Sequence, residues 1–478
     1  MQQQQFNQNQ EQQQQNNQNQ SNRIEFENKF LEAIRKSNNS RDRSEQQQMD
    51  NNQISYQSNS GQRITSIKII DQNQQYDCTA IAFHPKVEQY LAVAVGNKVL
   101  IYNLQINQGL EENDESRPGI LRINELNEQQ IITALNFLFY KVITNYHDII
   151  VGTNDGIIHI ARYRPQNYQQ GTNNLIIENR IQNIGTQNHI DQISCILTYT
   201  YTYTFQFDDL NSRQKEEIII LTSSYDGQIL QFSYEQIKEE NEEENQQSIQ
   251  NFLMENKGKQ ITFQQEAIYW ISLSDITGRE TQNLIASGYE NYFYIWERKQ
   301  NQIKWKFISK YKRYGVGTRV AFFGSSFIVW QIFQKDYINI LQNLHNWDKN
   351  PDAPQTIKAE NVIKVEFNEE YIPNQAILDN DKFPLLLNNQ SQDMLMGIKY
   401  GKNIHFLKGL LQFKSKDVQR QLNLKDYTTV KFSFLKEYVE CGLNCTEGAI
   451  SPSCNNIAIY DNQTKQIKIY NTPLSKNK

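Results

Sequence analysis

An all-β fold built from one repeated unit, behind a polar tail with little to bury, is what the amino-acid pattern predicts. Three observations carry it. Before Ile64 the chain is dominated by Gln and Asn, with runs from Gln2 to Gln5 and from Gln12 to Asn17, a composition that cannot offset the entropy of ordering. From Ile64 onward, short runs of β-branched and aromatic residues alternate with polar ones, the period-two signature of strands. Within that region a unit recurs: an alternating strand, a more apolar strand, then a tight turn into a third strand ending on an aromatic residue or Ile.

Residues 1–60 read as a disordered Gln/Asn-rich tail with one exception. Over residues 24–36 the positions Phe26, Phe30, Leu31 and Ile34 recur at helical spacing, so a short helix there would have one apolar face. Such a helix is marginal in isolation. It reads either as a nascent helix in a disordered tail or as a docking motif that folds on a partner.

Four consecutive units share one grammar. Thr79 to Pro85 is followed by Tyr90 to Leu104, Ile132 to Phe139 by Asp148 to Tyr163, Ile193 to Tyr199 by Ile218 to Tyr234, and Ala267 to Leu273 by Asn283 to Glu297. Asp155-Gly156 and Asp226-Gly227 occupy the turn of two units, and Asp-Gly suits a type I′ turn, in which both central residues need positive φ. Gly96-Asn97 and Glu290-Asn291 hold the same place in the other two.

These units resemble those of WD-repeat proteins: a strand ending in Ser-Pro or His-Pro, a Leu-Ala-x-Gly segment, an Asp-Gly turn, and a strand closing on Trp-Asp. The matching residues are Phe83-His84-Pro85, Leu284 to Gly288, Asp226-Gly227 and Ile295-Trp296-Glu297. The resemblance implies a β-propeller in which the small residues Gly152, Ser223 and Gly288 let neighbouring blades approach near the central channel. The chain departs from the pattern in two ways. No Trp-Asp pair is intact, and the Gly-His pair that usually precedes each unit is missing. The buried His-Asp network of the family is therefore expected to be absent, with blade closure resting on packing.

Three further units complete the count. Thr318 to Phe333 has alternating strands. Val362 to Phe367 followed by Asp393 to Gly409 reads as a sixth unit split by an insertion, and Gly448 to Pro473 as the last. Seven is a common closure number in the family, so the expected architecture is a single seven-bladed, WD-repeat-like β-propeller over residues 64–473. A ring must pair its first and last segments to leave no open edge, and Ile64 to Ile70 is the candidate outer strand of the terminal blade. Gln105 to Gln130, Phe205 to Glu217 and the acidic Lys238 to Asn251 read as long polar loops between units.

Composition limits the function. A net charge of −5 and a pI near 5.8 give no long-range attraction to phosphate backbones. The start lacks the basic and apolar regions of a secretory signal, and no run of about 18 apolar residues suggests a membrane span. The expectation is a soluble intracellular protein of cytoplasm or nucleus, with no membrane association. Five cysteines fit reduced thiols better than a disulfide framework.

Motifs for phosphate cradling, nucleophile elbows, zinc-protease helices and calcium loops are missing. Gly315-Val316-Gly317 reads as a strand-edge turn. Cys441, Cys445 and Cys454 have the wrong spacing for a zinc cage and read as small apolar filler in the final blade. His84, His159 and His405 fall in or at the end of strands and read as structural. No cofactor or metal is expected.

The leading functional expectation is a non-catalytic scaffold whose partners are other proteins of a multiprotein complex. Nucleic acid is the less favoured alternative, through Lys304, Lys306, Lys310, Lys312, Arg313 and Arg319 interleaved with Trp305 and Phe307. The plain reading of that stretch is the exposed face of a strand whose other residues are buried. An enzyme with a site at the channel mouth is a third, weaker reading.

Overall fold

The computed structural model describes residues 63–68, 77–104, 119–122, 126, 129–138, 147–163, 180–183, 189–208, 211–235, 259–263, 267–274, 281–288, 292–299, 302, 304–312, 319–323, 327–332, 335–342, 355–356, 362–367, 385–387, 394–413, 427–442 and 445–472. Among them every regular element is a β-strand. The proposed helix over 24–36, with Phe26, Phe30, Leu31 and Ile34, lies outside the described residues, as does the acidic segment Lys238 to Asn251.

The strands form seven small sheets. After β1 (Arg63–Lys68), the first sheet runs β2 (Cys78–Phe83), β3 (Tyr90–Val95), β4 (Lys98–Asn103), β5 (Gly119–Arg122). The second runs β6 (Ile132–Phe137), β7 (His147–Thr153), β8 (Ile158–Tyr163), β9 (Arg180–Asn183). The third runs β10 (Ile193–Asp208), β11 (Asn211–Ser224), β12 (Gln228–Glu235), β13 (Lys259–Phe263).

The fourth has β14 (Ile268–Leu273), β15 (Thr281–Gly288), β16 (Tyr292–Lys299) and β17 (Lys306–Lys312). The fifth begins with β18 (Val320–Phe323), β19 (Phe327–Gln331) and β20 (Tyr337–Gln342). Next, β21 (Gln355–Thr356) joins the fourth sheet, parallel to β17, and β22 (Val362–Glu366) completes the fifth.

The sixth contains β23 (Leu386–Leu387), β24 (Met394–Tyr400), β25 (Asn403–Phe413) and β26 (Tyr427–Glu440). The seventh has β27 (Cys445–Ile450), β28 (Asn456–Asp461) and β29 (Gln466–Asn471), with β1 antiparallel to β29 as its outer strand. The expected seal therefore forms, with Ile67 opposite Ile467.

Successive sheets touch around a closed circuit: β2 meets β6, β6 meets β10, β10 meets β14, and β14 meets β18; β18 meets β24, β23 meets β27, and β27 returns to β2. Each gap between neighbouring sheets holds its own apolar cluster. Phe137 and Ile149 meet Ile101 between the first and second sheets, and Tyr460 and Ile467 meet Tyr102 between the seventh and first. The fold is thus a propeller-like ring of seven blades. Middle strands pack on both faces, which is why β3 reads Leu-Ala-Val-Ala-Val without a polar residue, all of it buried.

Three expectations are corrected. Val362 to Phe367 does not begin the sixth blade. Its strand pairs with β20 as the outer strand of the fifth, and its exposed Lys364 and Glu366 follow the half-solvated alternation of an edge. Gln105 to Gln130 is not wholly a loop, because Gly119–Arg122 is the outer strand of the first blade. Phe205 to Glu217 is a hairpin in which only residues 209 and 210 interrupt the strands, since the Tyr-Thr alternation of β10 continues through Phe207.

The turn chemistry also differs from type I′. Gly156 and Gly227 have φ of 86° and 78°, while Asp155 and Asp226 stay at negative φ. Gly156 N–H donates to Thr153 O and Gly227 N–H to Ser224 O, at 3.2 Å each. This is a type I turn closed by a left-handed glycine, a three-residue hairpin loop. The Asp carboxylates are thereby left to cap neighbouring groups.

Candidate interaction face

The turns at residues 154–156 and 225–227 and the loop entering β10 lie at one end of the second and third blades. Their polar side chains form a network that fixes this end. In the third blade His189 Nδ1–H donates to Asp226 Oδ2 at 3.0 Å, and His189 Nε2 lies 2.9 Å from Thr222 Oγ1. Both the imidazole and the carboxylate are fully buried. Asp226 also accepts Ile190 N–H at 3.0 Å and Gln228 N–H at 2.8 Å.

The expected absence of a buried His-Asp network therefore fails in the third blade. The sequence signal was Asn188-His189 four residues before β10, which lacks the usual glycine before the histidine. In the fourth blade Trp296 packs among apolar and aromatic neighbours. Trp296 is 1% exposed, its Nε1 has no hydrogen-bond partner among the described residues, and its ring lies 5.6 Å from Phe307. The second blade uses Gln130 where the third uses His189, with Gln130 Nε2–H donating to Asp155 Oδ2 at 2.5 Å.

The blades interlock through the same end. A Cβ added to Gly152 would come within 2.6 Å of Ile193 in the next blade, and one added to Gly156 within 2.2 Å of His189 O. Thr133 Oγ1–H donates to Ile193 O at 2.7 Å, and Thr79 Oγ1–H to Ile132 O at 2.5 Å. The close approach expected at Gly152 is what the backbone shows. Held on this frame, Ile190 is 65% exposed, the one large exposed apolar side chain among the described residues. The rings of the half-buried pair Tyr225 and Tyr269 lie 4.8 Å apart, tilted by 44°, across the third and fourth blades.

The basic stretch lies on the rim of the fourth blade, along β17 and the residues around it. Lys304, Lys306 and Lys312 are exposed. Lys310 is half-buried, with its Nζ 4.0 Å from the Tyr292 ring centre. Arg313 lies outside the described residues, and Arg319, 2% exposed, faces away from solvent at the start of β18. The interleaved aromatics turn inward. Trp305 Nε1–H donates to Gln231 Oε1 at 2.8 Å, and the Arg298 guanidinium sits 4.9 Å from the Trp305 ring centre and 5.1 Å from that of Tyr199.

The remaining candidates belong to the core. Cys441, Cys445 and Cys454 are buried with Ile457 and Ile459 between the sixth and seventh blades. A hydrogen bond with Cys441, together with burial, holds the Cys445 thiol far above its ordinary range, which favours its protonated form. Among the described residues no group of three or more His, Cys, Asp or Glu is placed to hold a metal. His405 lies among Phe367, Tyr400, Phe434 and Tyr438, where burial lowers its pKa to about 4. Burial also lowers the pKa of His159, against the opposing pull of Asp155.

No protein-family model matches the sequence, and no curated protein matches it. Among solved structures the chain is similar to one in the crystal structure of a mitotic checkpoint complex. Identity there is 11% and the TM-score 0.46, covering 89% of this chain and 97% of that one. It is also similar to Chaetomium thermophilum Raptor, at 12% identity and a TM-score of 0.45, covering 86% of this chain and 28% of that one. Likeness this remote adds nothing to the strand pairing, which alone defines the class: an all-β, propeller-like ring of small antiparallel sheets. No helix among the described residues is long and apolar enough to cross a membrane.

Proposed function

We propose that the chain is a non-catalytic interaction platform, a divergent WD-repeat propeller acting as a subunit of a larger protein assembly. The observation that carries this is the rigid blade-end face. Polar contacts bury His189 and Asp226 to fix it, and it presents Ile190 to solvent. A rigid frame that holds an exposed apolar residue among turns is suited to docking a partner, because little is left to order on binding. Exposed Lys304, Lys306 and Lys312 on the rim of the fourth blade support a second reading, contact with a polyanion such as nucleic acid.

Affinity purification of the intact chain, of a chain lacking residues 1–60 and of an Ile190→Asp chain tests the platform. Recovery of stoichiometric proteins that are lost with Ile190→Asp supports docking on the blade-end face. Loss with the truncation alone moves docking to Phe26, Phe30, Leu31 and Ile34. If none of the three recovers a partner, the platform reading falls. Salt-sensitive RNA or DNA binding that disappears on reversing the charge of Lys304, Lys306 and Lys312 favours the second reading.

A further inference from the structure

The third blade carries an extension. Strands β10 and β11 pair from Ile193 opposite Ser224 out to Asp208 opposite Asn211, whereas β12 reaches β11 only between Glu217 and Ser223. Residues 201–208 and 211–216 therefore run past the blade as a two-stranded ribbon, about 27 Å long at roughly 3.4 Å per residue. First strands of the other blades have six residues or fewer. The ribbon leaves the end of the blade opposite the His189 face, since His189 precedes the first residue of β10 and the ribbon is its far end.

Its two edges differ in chemistry. From Ile193 to Phe207, β10 has no charged residue, proline or glycine, and it ends in alternating Tyr and Thr followed by Phe205, Gln206 and Phe207. The β11 edge carries Arg213, Lys215, Glu216 and Glu217. Charges on an edge discourage pairing, while a long uncharged edge of high β propensity is a template for it. No described strand pairs with the outer side of Tyr201 to Phe207.

We propose that this edge pairs with the same edge of a second copy of the chain, antiparallel about a twofold axis at Thr204. The two ribbons then make one four-stranded sheet bridging two rings. A second copy fits because the pattern is self-complementary. Centred on Thr204, the register sets Tyr203 opposite Phe205, Thr202 opposite Gln206 and Tyr201 opposite Phe207, so aromatic positions meet aromatic ones and polar positions polar ones. Such an interface is isologous and closes at two copies. The inference does not depend on the platform reading.

The test is sedimentation of the full chain across the micromolar range. The wild-type chain is expected at twice its 56.3 kDa mass. Thr204→Lys and Thr204→Glu each set like charges against themselves at the axis and are expected to weaken dimerisation at least tenfold, with unchanged circular dichroism and melting temperature. An equal mixture of the two is expected to recover the dimer. A wild-type chain that stays single overturns the proposal. So does a dimer indifferent to both substitutions, or a mixture that fails to reassociate.

Discussion

Replacing Asp226 with Ala removes the acceptor for three donors: His189 Nδ1–H, Gln228 N–H and Ile190 N–H. Ile190 is at the surface, and its N–H recovers water at little loss. The imidazole is fully buried and Gln228 half-buried, and a buried donor left without a partner costs about 1–3 kcal/mol. The expected loss is about 3 kcal/mol, a large share of the roughly 5–15 kcal/mol that stabilises a typical domain. Asp155→Ala is the matched control. It removes the bonds from Gln130 and Thr153 to an exposed carboxylate, while Thr153 Oγ1–H keeps Ile157 O as an acceptor at 2.9 Å, for about 1 kcal/mol. Urea unfolding followed by tryptophan fluorescence separates the two by midpoint at constant slope. Equal midpoints for the Asp226 and Asp155 variants would refute the view that the buried network, more than packing, holds the third blade closed.

Three further outcomes are expected. Gly152→Ala should destabilise the ring by about 1–3 kcal/mol. Adding Ile193→Ala should not restore stability, because the Ile193 Cβ itself lies 2.6 Å from the new atom; a full rescue in calorimetry counts against the close approach. Stability should fall by about 2 kcal/mol between pH 7 and pH 5 through His405. Its folded pKa of about 4 lies below the ordinary 6.5, so the unfolded chain takes the proton first. The contribution is complete above pH 6.5 and is lost as pH falls toward 4, and denaturation of His405→Leu at both pH values should show a flatter dependence. Deleting residues 63–68 should expose the edge of β29 and yield aggregates by light scattering; a monodisperse variant of unchanged stability disproves the seal.

The repeating inner parts of the blades were legible because both their strands and their turns follow local rules. Tyr90 to Leu104 became β3 and β4, Ile218 to Tyr234 ended β11 and formed β12, and the segment from Ile64 contributed β1. Outer strands such as β5 and β9 were not legible. They have four residues each and are embedded in polar sequence, and only the ladder of the preceding strand selects them. Val362 to Glu366 misled for the opposite reason, since its alternation looked like a unit's first strand while its partner, β20, lay upstream. His189 escaped notice because it lacks the usual preceding glycine and its partner, Asp226, lies 37 residues away. In the basic stretch, alternation separated exposed lysines from inward aromatics, but nothing local marked Arg319 as buried.

The pairing of β1 with β29 also orders events in time. A ribosome that has finished Lys68 must add about 400 more residues before Gln466 to Asn471 exist to receive it, roughly 20–80 s at ordinary elongation rates. During that interval the earliest strand has no destination, and the blades between can stack only into an open arc with two bare ends. The ring can close only once β29 has been made, so premature termination anywhere before it leaves the assembly unsealed.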